Sequence, residues 1–126
     1  MYNNERIGIG CDIECVSRFD NLITKKRFLS FFSNNELDYC YSKSNPIIHI
    51  AARFAGKEAI IKAMGSVELP KIPMKNIEIL KKNNGSVYAI INDKFFYDLH
   101  ISLSLSHLDC FVLAFAIVIL NPQQSI

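Results

Sequence analysis

Three short groups of polar residues have types and spacings that suit phosphate chemistry. Arg53, Lys57, Glu58 and Lys62 lie in one stretch, Asp12 and Glu14 in another, and Ser104, Ser106 and His107 in a third. At about 100° per residue on a helix, Glu58 and Lys62 are one turn apart on one face, while Arg53 and Lys57 form a second i,i+4 pair rotated away from them. Asp12 and Glu14 stand two apart on a strand pattern, so both point the same way. Like charges so placed repel unless a cation lies between them, and hard carboxylate oxygens suit magnesium, which completes its shell with water and substrate phosphates. Taken singly, each group reads as solvated surface. Together they describe a site in which acids hold a cation and bases surround phosphate.

The elements that must carry these groups follow from periodicity and end signals. The long stretch reads as a helix from near Pro46, suited to a first turn, to Gly65, suited to a left-handed cap. Ile7, Ile9, Cys11 and Ile13 alternate with Gly8, Gly10, Asp12 and Glu14. That is a strand whose isoleucine side is the expected buried face, with the two glycines leaving room for close approach by another element or a ligand. Cys15 to about Ile23 reads as helical, and a basic run, Lys25, Lys26 and Arg27, follows it; with Arg18 it makes the segment locally basic. Ser33 and Glu36 form a capping box that opens a short helix over Asn34–Tyr41. Ser66 to Pro73 reads as a loop. Asn76–Leu80 and Val87–Ile91 read as a hairpin turned at Lys81–Gly85, and Lys94–Leu99 as a helical turn. Ile101–Ser106 alternates as a half-buried strand that leaves His107 at its end, whereas Phe111–Leu120 is apolar on both faces and reads as the central strand.

Composition narrows the class. A chain of 126 residues, 50% of them hydrophobic, can bury one substantial core, and neither a repeat nor a linker divides it, so residues 1–126 read as a single domain. The net charge of +2 is too small for a dedicated nucleic-acid binder. A polar start without an apolar signal core, and a longest apolar run too short to span a bilayer, predict a soluble cytoplasmic protein. Cys11, Cys15, Cys40 and Cys110 contain no C-x-x-C pair and read as reduced core thiols.

The ordered set Gly10-Cys-Asp-Ile-Glu14, Arg53-Phe-Ala-Gly-Lys-Glu-Ala-Ile-Ile-Lys62 and Ser104-Leu-Ser-His107 resembles the 4′-phosphopantetheinyl transferases, in particular the short holo-acyl-carrier-protein synthases. Order, spacing and length match over nearly the whole chain. The resemblance implies an α+β fold with a mainly antiparallel sheet packed on the long helix. It implies transfer of the phosphopantetheine arm from coenzyme A to a serine of an apo acyl carrier protein, releasing adenosine 3′,5′-bisphosphate. Asp12 and Glu58 would be magnesium ligands, Lys62 would neighbour the reacting phosphate, and Arg53, Lys57, Gly65, Ser106 and His107 would hold coenzyme A. Arg18, Lys25, Lys26 and Arg27 fall where the family docks acidic carrier helices, and short members are homotrimers with sites between subunits.

Three departures bear on the site. Glu14 makes the motif resemble the larger, two-halved members, in which that acid is a third metal ligand, so it joins Glu58 as a ligand or base. Ser66 and Val67 stand where a second glycine often follows Gly65, and Leu108 stands where a threonine is common. One rival reading is a non-catalytic carrier-protein or nucleotide-binding module, against which the intact Asp12, Glu58 and Lys62 argue. The other is a nucleic-acid-binding domain, for which the chain lacks an aromatic-basic stacking array.

Overall fold

The chain opens with strand β1 (Arg6–Cys15), a 3-10 turn at Val16–Arg18 and two single-turn helices, α1 (Phe19–Leu22) and α2 (Lys26–Leu29). Helix α3 (Asn34–Tyr41) and the long α4 (Pro46–Ser66) follow, then β2 (Ile77–Lys81), β3 (Val87–Ile91), β4 (His100–His107) and β5 (Phe111–Leu120). The computed structural model describes residues 6–96 and 99–121. β5 is the central strand of an antiparallel sheet ordered β1-β5-β4, and β2 with β3 forms a separate antiparallel hairpin. This is the expected α+β architecture. Of the turn expected over Lys94–Leu99, Lys94–Phe96 is a 3-10 turn, while residues 97 and 98 lie outside the described residues. No described helix is long and apolar enough to cross a membrane.

Local signals placed several elements well. Ser33 caps α3 by accepting from the Glu36 amide at 3.1 Å, and Glu36 returns the bond to the Ser33 amide at 2.9 Å. Pro46 sits at the start of α4, where its missing N–H leaves no donor unpaired. The β2–β3 turn places Gly85 at φ +91, a conformation glycine adopts without steric cost. At the end of α4 the outcome differs. The helix runs through Gly65, and the left-handed residue is Glu68 at φ 65, beyond the expected cap.

β1 packs on α4 through its glycine face rather than through the isoleucine face expected to be buried. Ile7, Ile9 and Ile13 are 62%, 59% and 64% exposed, whereas Gly8 is buried and Gly10, Asp12 and Glu14 are half-buried toward the helix. A Cβ on Gly8 would lie 2.2 Å from the Ala63 carbonyl oxygen, so the strand lies on the helix backbone itself. No isoleucine could occupy that gap. The inversion also sends Cys11 and Cys15 outward; with Cys110 they are exposed, and Cys40 alone is the buried thiol expected of all four, each of which is free. β5 is central but one-sided: Val112, Ala114, Ala116 and Val118 are buried, while Phe111, Leu113 and Phe115 are 45%, 47% and 43% exposed. The register sets Ile9 beside Ile117, Cys11 beside Phe115 and Ile13 beside Leu113, which makes the outer face of the sheet broadly apolar.

The two single-turn helices are too short to be stable alone and are held by aromatic packing. Phe19 is fully buried, with ring centroids 5.8 Å from Phe28 and 5.4 Å from Phe54 of α4, and Phe28 packs in turn on Phe31, Phe32 and Phe54. Such pairs contribute about 0.5–1.5 kcal/mol each beyond area burial. They tie the segment that carries Arg18 and Lys25–Arg27 to the middle of α4.

Candidate active site

Close glycine packing brings the acids of β1 to the C-terminal half of α4. Lys62 donates to Asp12 Oδ1 at 3.2 Å and to the Cys11 carbonyl at 3.1 Å. Its side chain is 53% exposed and that of Asp12 only 10%. The second Asp12 oxygen, Oδ2, is buried, and no amine, amide or hydroxyl among the described residues donates to it. Glu14 follows on the same face and is paired with Arg18, whose guanidinium also lies 5.6 Å from the Phe19 and Phe54 ring centroids. Burial, reinforced by hydrogen bonding with Asp12 and its charge, pushes the Glu14 carboxyl up to about 7, against the lowering effect of Arg18. Glu58, half-buried one turn before Lys62, opens instead on a cleft of about 460 Å³ shared with Arg27, Phe31, Phe54 and Met74. No hydrogen bond or ion pair among the described residues joins Glu58 to Asp12 or Glu14. Nor do the described residues contain three or more His, Cys, Asp or Glu side chains already arranged around a metal position.

A second polar group sits toward the other end of α4. Arg53 is 3% exposed, its guanidinium 4.3 Å from the Tyr39 ring centroid and its Nε without a hydrogen-bond partner among the described residues. Lys43 lies 4.7 Å from the same ring, and Lys81 donates to the Tyr39 hydroxyl at 3.1 Å. His49 stands 5.9 Å from Tyr39 and 6.2 Å from His107, joining the end of β4 to the cluster. Burial, with Arg53, His107, Lys43 and Lys81 around it, lowers the His49 pKa from its usual value. Three cations and two imidazoles thus gather around one phenol, a local excess of positive charge of the kind that attracts anions.

Two expected coenzyme A residues are placed differently. The Lys57 side chain is fully buried, its ammonium donating to the Phe31 and Ile77 carbonyls at 2.6 Å each and to Glu36 Oε1 at 2.8 Å. An ammonium has three protons, so none is left for a phosphate. Burial pulls this amine below the usual lysine range, and the Glu36 carboxylate opposes that shift. Ser106 and His107, adjacent in sequence, take opposite faces of β4: Ser106 pairs with Leu113 on the outer face, while His107 shares a row with Val112 and Glu14 on the inner one. Within one chain only His107 reaches the basic cluster. Gly65 is exposed near the end of α4 with nothing within 4 Å of a Cβ built on it. Tyr39, Lys43, His49 and Lys81 were not legible as site residues, because contacts among α3, α4 and β2 leave no mark in local spacing.

A family model described as the 4′-phosphopantetheinyl transferase superfamily matches residues 8–116, a span that includes both β1 acids and the whole of α4. The chain belongs to that superfamily. Among curated transferases, the holo-[acyl-carrier-protein] synthase of Protochlamydia amoebophila is 37% identical over 117 residues, covering 88% of this chain and 96% of the relative. That of Thermodesulfovibrio yellowstonii is 35% identical over 114 residues, with coverages of 88% and 96%. Among solved transferases, the Helicobacter pylori holo-[acyl-carrier-protein] synthase in complex with coenzyme A superposes with a TM-score of 0.73 at 28% identity, covering 87% of this chain and 98% of that one.

Proposed function

We propose that the protein is a holo-[acyl-carrier-protein] synthase that moves the 4′-phosphopantetheine arm of coenzyme A onto a serine of apo acyl carrier protein, dependent on magnesium. The observation that carries this reading is the buried Oδ2 of Asp12, to which no amine, amide or hydroxyl among the described residues donates, beside the Glu14 carboxyl and the Lys62 ammonium. A bare buried carboxylate oxygen is costly, by about 1–3 kcal/mol or more, and a hard cation relieves it. Asp12 and Glu14, hard oxygen donors two residues apart on one strand face, fit magnesium, and Glu58, which opens on the neighbouring cleft, would have to turn toward them to complete the ligand set. When bound, magnesium neutralises charge on the pyrophosphate oxygens.

The chain's own residues do the rest. Lys62 stands beside Asp12 where the reacting phosphate arrives and offsets its developing charge. Arg53 and His107 hold the nucleotide's phosphates in the basic cluster, and Ser106 and Gly65 complete the coenzyme A contacts. The serine oxygen bonds to phosphorus as the bond to adenosine 3′,5′-bisphosphate breaks, and the serine proton passes to Glu14 or Glu58. Arg27 on the cleft beside Glu58 supports carrier docking by the basic segment from Arg18 through Lys25 and Lys26 to Arg27, so we place the acceptor there. The apolar outer face of the sheet supports a homotrimer, in which Ser106, on that face, would meet a neighbouring copy. The test is to mix the protein with coenzyme A, magnesium and apo carrier and weigh the carrier by mass spectrometry. A gain of one phosphopantetheine is expected; no gain on any acyl carrier protein would overturn the reading.

A further inference from the structure

We propose that Lys57 is a positioning residue that sets the width of the cleft beside Glu58, so that the carrier serine is presented in register. This rests on the reading of that cleft as the acceptor's side of the site. Phe31, in the turn after α2, and Met74, in the turn before β2, both line it. The Phe31 carbonyl accepts from Lys57 Nζ at 2.6 Å, and the Met74 carbonyl lies 3.3 Å from the same nitrogen, sharing a proton with a closer acceptor. Their oxygens are thus tied to a common point. The same ammonium binds the Ile77 carbonyl at 2.6 Å and Glu36 Oε1 at 2.8 Å, and Glu36 Oε2 accepts from the Ile79 amide at 2.9 Å. One buried ion pair therefore fastens α2, α3 and β2 to α4 at the residue next to Glu58.

Space-filling alone does not call for a charge here. An apolar side chain of similar length would occupy the same volume, and buried ion pairs are often no more stabilising than such replacements. What methionine cannot do is draw the carbonyls of these two lining residues to one point. The pair's distinctive property is geometric.

The test compares Lys57→Met with the double variant Lys57→Met/Glu36→Gln. The single variant strands a buried carboxylate and should lose much of its thermal stability. The double variant neutralises both partners, keeps an acceptor for the Ile79 amide and should recover most of that loss. For the folded double variant, kcat/KM for apo acyl carrier protein should fall roughly tenfold to a hundredfold, the scale set by misplacement of about 1 Å. KM for coenzyme A should stay within about twofold, because only the acceptor is misplaced. Amide hydrogen exchange at residues 31–32 and 74–77 should speed up in both walls. Wild-type kinetics in the double variant would reduce Lys57 to a structural role, and a rise confined to KM for coenzyme A would return it to the nucleotide site; either overturns the proposal. If the double variant does not fold, Lys57→Arg, which keeps the charge but spreads its donors over a plane, should show the same split, and wild-type kinetics there would overturn the proposal too. If the wild-type protein transfers nothing, the functional reading fails instead, and unchanged exchange in the two walls would then refute the clamp on its own.

Discussion

A Cβ on Gly10 would lie 2.2 Å from the carbonyl oxygen of Ala59 and 2.6 Å from the Ala63 amide nitrogen, so β1 and α4 meet backbone to backbone. Both partners are main chain and neither can rotate aside. Gly10→Ala should therefore destabilise the fold by about 1–3 kcal/mol or more, the usual range for overpacking. It should also draw Asp12 away from Lys62. Thermal melting reads the first effect and carrier modification the second; a variant with wild-type Tm would show that the contact yields more easily than its geometry implies.

Asp12→Ala and Glu58→Ala should lower transfer about a hundredfold or more, since a metal's stabilisation of transition-state charge is worth several kcal/mol. Stability should change little. Asp12→Ala gives up a pair with a half-exposed lysine, and such pairs contribute about 1 kcal/mol or less, while it also removes a buried oxygen without a donor, so the two effects offset. Melting curves and magnesium titration of turnover check both statements. Unchanged turnover with magnesium dependence retained would remove these acids from the metal assignment.

Carrier docking should be read from Lys25 rather than Arg18. Lys25 is exposed, whereas Arg18 is committed to Glu14 and to the Phe19 and Phe54 rings. Lys25→Glu should raise the KM for carrier severalfold at low salt, and the penalty should shrink as ionic strength shortens the Debye length from about 10 Å at 0.1 M to about 3 Å at 1 M. Arg18→Glu should act differently. It places a third acid beside Asp12 and Glu14 and should depress turnover at every salt concentration. Identical salt profiles for the two variants would contradict this division.

His49 offers a pH readout of the basic cluster. Because burial and the cations around it, Arg53, His107, Lys43 and Lys81, depress its folded pKa below the usual value of 6.5, the unfolded chain binds more protons between the two values. Stability should fall as pH drops through 6.5 toward the folded pKa, and His49→Gln should remove that component. An anion seated among the same cations has the opposite effect on the ring. Adenosine 3′,5′-bisphosphate should raise the His49 pKa in an NMR titration; no movement of the His49 resonances would place the nucleotide elsewhere.

The outer face of the sheet should be a contact between copies of the chain. Leu113 and Phe115, 47% and 43% exposed, stand beside Ile13 and Cys11 of β1. Phe115→Lys should shift the protein from trimer to monomer in sedimentation velocity with little loss of monomer fold. Alkylation of Cys11 should be slower in the wild-type assembly than in that monomer. Cys40, fully buried and with its thiol pushed up to about 11, chiefly by burial, should react only on unfolding. A wild-type protein that sediments as a monomer would refute this contact.

Readings that rested on short-range physics match the structure. The Ser33–Glu36 capping box, Pro46 in the first turn of α4, the hairpin turned at Gly85 and the alternation of β4 are each set by bonds or dihedrals within a few residues. The family motifs on β1 and α4 were legible for the same reason, since each is a compact run. What only the tertiary structure decided is which face of each run meets what. Hydrophobicity assigned the isoleucines of β1 to the core, but the space beside α4 is narrower than any side chain, so the glycines took it and the isoleucines turned outward. Lys57 shares a spacing pattern with Arg53 and looked like a phosphate ligand, yet Glu36 and three carbonyls from distant segments converge on it and keep it inside. Tyr39, Lys43, His49 and Lys81 meet only because α3, α4 and β2 pack together. Side-chain type and spacing are properties of one segment, whereas burial and partnership belong to pairs of segments, and the fold alone creates those pairs.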